Sequence, residues 1–136
     1  MDFSTPYVFD TGQDILGWVR VYEETHNAIY LDAAINAGDW LSSIQQPDGW
    51  FPTTAYSKST HTYHSRVAWA LLRLSEVSQR SIYRDMAILN LNWVVSKQQD
   101  NGWFDISAND EITHLIAYTG RGLLEASVLL GTDEIG

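Results

Sequence analysis

The 136-residue chain contains no cysteine. That excludes both a disulfide framework and a thiolate metal site. Bases are scarce: eight Lys and Arg stand against 17 Asp and Glu, for a net charge of −9. With no basic stripe, nucleic acid is excluded as an expected partner, and an anionic membrane surface would repel the chain. No apolar run approaches the length of a transmembrane helix. The first residues, MDFSTPYVFDTG, lack the charged and apolar regions of a secretory signal, which leaves the cytoplasm as the expected compartment. No stretch alternates apolar and polar residues in the manner of a half-buried strand.

What the chain does contain is a repeat. QQPDGWF at 45–51 returns as QQDNGWF at 98–104. At the same offset Ile29, Tyr30, Asp32, Ala34, Ile35, Trp40 and Ser43 recur as Ile82, Tyr83, Asp85, Ala87, Ile88, Trp93 and Ser96. Together these make 12 identities in the 25 positions 28–52, and most are apolar or aromatic, so a solvated low-complexity tract is excluded. A period of this length marks a repeat architecture. The units are 9–52, 63–105 and a half copy over 113–136, in a single domain.

Each unit reads as two helices and a long loop. Thr11 is placed to cap a first helix over 13–24, with Ile15, Trp18, Val19 and Tyr22 at helical spacing. THN at 25–27 is a short turn. A second helix over 28–45 carries Leu31, Ala34, Ile35, Leu41 and Ile44 and is stopped by Pro47, Asp48 and Gly49. The second unit predicts helices over 63–77 (Val67, Ala70, Leu71, Leu74) and 81–99 (Ile82, Met86, Leu89, Trp93). A fifth helix over 113–130 carries Leu115, Thr119, Gly122, Leu123, Ala126 and Leu130. The fold class is therefore all-α, with stacked antiparallel αα-hairpins, about two and a half repeats. The fourth helix is apolar nearly all round, which predicts neighbours on several sides. Gly17, Ala70 and Gly122 match in the first, third and fifth helices. They predict close approach of those helices as an inner layer. Gly49 is expected at positive φ. Trp50 and Trp103 are expected to wedge between hairpins or to serve as ligand platforms, while the glutamines bond the adjoining helix end.

The run 9–51, with FDTGQ at 9–13, HTYHSRVAWALL at 61–72 and HLIAYTGRGLLE at 114–125, resembles the (α/α)₆ toroids. These include six-hairpin glycosidases, unsaturated glucuronyl hydrolases, uronate-polysaccharide lyases and sugar epimerases. The resemblance covers almost the whole chain and implies a partial α/α toroid. It implies a carbohydrate-active protein, or a fragment of one, acting on or binding uronate-containing glycans. The alternative is a non-catalytic helical-repeat module for binding or assembly. The Q-x-x-D-G-W loop also resembles the QW motif of triterpene cyclases, in which one residue separates Gly from Trp. The D-x-D-D and D-D-x-x-D signatures are absent, so a terpene cyclase-like fragment ranks third.

The inner helices all begin on the loop side, which predicts one mouth lined by Asp10, Gln13, His61, Tyr63, His64, Arg66, His114, Tyr118 and Arg121, beside Trp50 and Trp103. Arg binds carboxylates as a bidentate fork, and His and Tyr move protons. Arg66 or Arg121 is the candidate carboxylate binder, and His64 or Tyr118 the candidate proton-transfer residue. Structural roles compete: His61 as a helix cap, His64 and Arg66 as partners of Asp10 or Asp105, Tyr118 as core. A glycosidase would need two carboxylates roughly 5–9 Å apart; Asp10, Asp48, Asp105, Asp110 and Glu111 are available, and the sequence does not pair them. His61, His64 and His114 lack a recognised ligand spacing, so neither metal nor cofactor is expected. Only TDEIG follows 129–131, too little for a third outer helix. The exposed flank this implies predicts a homo-oligomer, with two half-rings closing about a two-fold axis as one solution.

Overall fold

The computed structural model describes residues 6–52, 61–104 and 112–131. Among these residues there are five α-helices: α1 (Val8–Thr25), α2 (Ala28–Ile44), α3 (Ser65–Ser78), α4 (Ser81–Val95) and α5 (Ile112–Leu130), with a 3₁₀ turn at Thr62–His64 leading into α3. Among the described residues the only β pairing is one isolated bridge between Gln98 and Phe104. The expected all-α hairpin stack is the observed architecture.

Two-residue turns close both hairpins. His26 and Gln79 end α1 and α3 in left-handed conformation, at φ 55° and 58°, and their N–H groups bond Tyr22 O and Ser75 O. The left-handed residue reverses the chain at once, so α2 lies antiparallel to α1 and α4 antiparallel to α3. Asn27 caps α2 by accepting from Ile29 N, as its short amide side chain allows. Helix α3 is the hub, packed against α1, α4 and α5 and more lightly against α2. Helices α1, α3 and α5 therefore form an inner layer, with α2 and α4 outside. The core is dominated by α3, whose Val67, Ala68, Ala70, Leu71 and Leu74 are fully buried together with Ile15, Leu41, Tyr83, Leu91 and Ala126.

Glycine does bring the inner helices together, but not at the position expected in α1. A Cβ on Gly12 would lie 3.0 Å from Val67, and one on Gly122 would lie 2.3 Å from Ser65 Oγ. Gly17 is exposed with nothing near it. The α3–α5 contact is partly polar. Ser65 Oγ donates to Thr119 O at 3.0 Å, and the Thr62 and Thr119 hydroxyls lie 3.0 Å apart.

Other expectations need correction. Helix α1 starts five residues before the predicted 13, and Thr11 lies inside it, its hydroxyl donating to Tyr7 O one turn back. Helix α3 begins at Ser65, after the 3₁₀ turn, and His61 makes no side-chain cap bond. Helix α4 ends at Val95 rather than 99 and is one-sided. Ile82 and Leu89 are 52% and 40% exposed, while Tyr83, Met86, Asn90 and Val94 face inward. Its apolar perimeter thus exceeds what its neighbours cover.

Candidate functional site

The N-terminal ends of α1, α3 and α5 meet. Phe9 of α1 packs edge-on against Tyr63 at 5.6 Å and tilted against Tyr118 of α5 at 5.3 Å. Gly12 and Gly122 allow this, since both remove a side chain where the three backbones converge.

Arg66 sits at the centre of this junction. Its Nη2 donates to Gln13 Oε1 at 2.8 Å. The guanidinium lies over the Tyr118 ring at 5.1 Å and the Trp69 ring at 5.5 Å, within cation–π range. Arg66 Nε and Gln13 Nε2 are buried and make no hydrogen bond among the described residues. Both of these atoms are N–H donors. Among the described residues the cluster therefore holds more donors than acceptors. Arg121 approaches the Trp69 ring at 5.9 Å and pairs with Glu125 at 2.5 Å. Trp69, between the two arginines, was not among the sequence candidates. Its spacing from Arg66, one helical turn, was the available signal.

Beside this cluster lies a histidine group. His61 and His64 are stacked at 5.2 Å and 17°, and His61 Nδ1 is 2.7 Å from the Tyr63 hydroxyl. His64 is 1% exposed and its Nδ1 has no partner among the described residues. Burial first, and the neighbouring His61 second, push the His64 pKa from 6.5 down to about 3. Burial also lowers that of His61. At neutral pH the pair is uncharged, with His64 beneath His61. Phe51 contacts the His64 ring at 6.2 Å.

The remaining candidates are dispersed. Asp10 is exposed in the first turn of α1. His114 is exposed and meets Tyr118 edge-on at 5.7 Å. Trp103 is 48% exposed and Trp50 half-buried, whereas Phe51 and Phe104 are 1% and 6% exposed. The buried wedge of each loop is thus the phenylalanine and not the tryptophan. Asp48 is exposed in its turn. Asp105, Asp110 and Glu111 lie outside the described residues. Among those described, no three His, Asp or Glu side chains are grouped as a metal would require, and no helix is long and apolar enough to cross a membrane. No family model, no curated protein and no solved structure matches the chain.

Proposed function

We propose that this chain is a toroid-type αα-hairpin unit that binds carboxylated sugars, uronate-containing glycans above all, where α1, α3 and α5 begin. The observation that supports this reading is the donor excess around Arg66. Leaving a buried donor unpaired costs roughly 1–3 kcal/mol, and here Arg66 Nε and Gln13 Nε2 are both unpaired among the described residues. A carboxylate supplies acceptors and no donors. The guanidinium lies over the Tyr118 and Trp69 rings and is tied to Gln13 Oε1, so its position is restricted before a ligand arrives. Should the site also transfer a proton, Tyr118, in contact with Arg66, is better placed than His64, which lies under His61.

Titration calorimetry with glucuronate, galacturonate and neutral glucose tests the reading. Binding of the uronates but not glucose is expected, with a loss of at least about tenfold in Arg66→Lys, since lysine cannot reproduce the bidentate fork. Equal binding of glucose, or none of the sugars, would overturn it. An absorbance assay for unsaturated uronate on polyuronates separates lyase action from binding alone. A second reading, an assembly module, draws on the exposed Leu124 and Val128 of α5.

A further inference from the structure

Val19, Leu72 and Leu124 hold matching positions in α1, α3 and α5, yet their surroundings differ. Val19 is 1% exposed, Leu72 is 4% exposed and Leu124 is 60% exposed. Helices α1 and α3 each lie against an antiparallel outer helix. Among the described residues α5 has none, and Val128, one turn beyond Leu124, is 74% exposed.

The repeated loop shows the same asymmetry. Both copies are built alike: Gln46 N donates to Trp50 O at 2.9 Å and Gln99 N to Trp103 O at 2.7 Å. The Gln45 and Gln98 side chains donate to Gly49 O and Gly102 O at 3.1 and 2.9 Å. The first loop then seats on α4. Gln45 Nε2 also donates to Met86 O at 2.9 Å, Asn90 Nδ2 donates to Gly49 O at 2.9 Å, and a Cβ on Gly49 would stand 2.3 Å from Leu89 O. The second loop is exposed, and a Cβ on Gly102 would meet only its own Gln98, at 3.9 Å. The chain thus carries a finished seat for one more helix, related to α5 as α4 is to α3.

We propose that a second copy of this chain fills that seat with its own α5, the two helices packing antiparallel about a two-fold axis. Direction favours this occupant. An outer helix runs antiparallel to its inner partner, and a two-fold axis perpendicular to α5 generates that arrangement. Shape favours it too. The face of α5 turned away from α3 carries Ala117 and Gly120 in its N-terminal half and Leu124 and Val128 in its C-terminal half, all exposed. Nothing lies within 4 Å of a Cβ built on Gly120. Antiparallel pairing centred between Gly122 and Leu123 sets Val128 opposite Ala117 and Leu124 beside Gly120, large against small at both ends. Charge is the third argument. A chain of net charge −9 repels its copies, but the only acid in α5 is Glu125, already paired with Arg121. The pairing stands independently of the glycan reading, because it uses the face opposite α3 rather than the Arg66 junction.

Light scattering on the full chain across a micromolar concentration series is expected to show a species of twice 15.4 kDa. Leu124→Arg is expected to return it to 15.4 kDa with unchanged helicity, since Leu124 is exposed and the fold does not depend on it. The native absence of cysteine permits a register test. Oxidising a mixture of Ala117→Cys and Val128→Cys chains should give a cross-linked dimer, and oxidising either variant alone should not. A 15.4 kDa species throughout, or a dimer that survives Leu124→Arg, would overturn the proposal.

Discussion

His64 shows how one buried side chain makes the whole fold sensitive to pH. In the unfolded chain its ring takes up a proton near pH 6.5; in the folded chain, buried and stacked on His61, it does so only near 3. The folded pKa is depressed, so the contribution to stability is complete above pH 6.5 and is lost as the pH falls from 6.5 towards 3. The slope is at most about 1.4 kcal/mol per pH unit for one proton. His61, lowered by burial, acts in the same direction. Urea denaturation across this pH range is expected to show a shallower decline for His64→Gln than for the native chain. Identical slopes would mean that the ring protonates without unfolding. None of this was legible in HTYHSR. A histidine at a helix start reads equally well as a cap, a base or core, and only the packing of Phe51, His61 and Tyr63 around it decides the matter.

At the scale of elements, the repeat was the most readable part of the sequence, because a 53-residue offset carries backbone geometry with it. Gly49 and Gly102 are both left-handed, at φ 101° and 83°, as two copies of one turn should be, and Gln45 does reach the adjoining helix. Two things were not readable. Which aromatic of Trp-Phe turns inward depends on the backbone just after the glycine, and the fully apolar Phe51 wins that place while the indole, with its polar N–H, stays nearer solvent. The start of α1 was hidden because Tyr7 makes no side-chain cap bond, while Thr11 has the chemistry of a cap but bonds back within the helix. The two glycines also make a test. Gly102→Ala meets only the strain of the left-handed region, roughly 1–2 kcal/mol. Gly49→Ala meets that strain and also the α4 backbone at Leu89, adding roughly 1–3 kcal/mol of overpacking. Urea midpoints should therefore fall further for Gly49→Ala. Equal falls would mean that the first loop does not press on α4.

For the whole molecule, hairpins and layers followed from helical periodicity and short turns. The identity of the central helix did not, since every helix here has an apolar stripe and a stripe does not count its neighbours. Likewise Arg66 was legible as a candidate, but its setting between Gln13, Tyr118 and Trp69 needed three helices placed in space. The central position of α3 has a consequence in time. Each hairpin closes over a two-residue turn, so its contacts are local and inexpensive to form, and helical folds built from such contacts form fast. Opening is ordered in reverse. Among the described residues α5 is held by α3, by the 3₁₀ turn that precedes α3 and, more lightly, by Phe9 of α1, whereas α3 cannot leave without releasing every other helix. Amide hydrogen exchange in the Leu124→Arg chain should find the α5 protons exchanging through partial opening and those of α3 only through global unfolding. Equal protection of the two helices would mean that the molecule opens as one unit. On the expected outcome, the Leu124→Arg chain repeatedly samples a four-helix form in which the α5 side of the Arg66 junction is bare, and pairing of α5 with a second copy would make that lifting rarer.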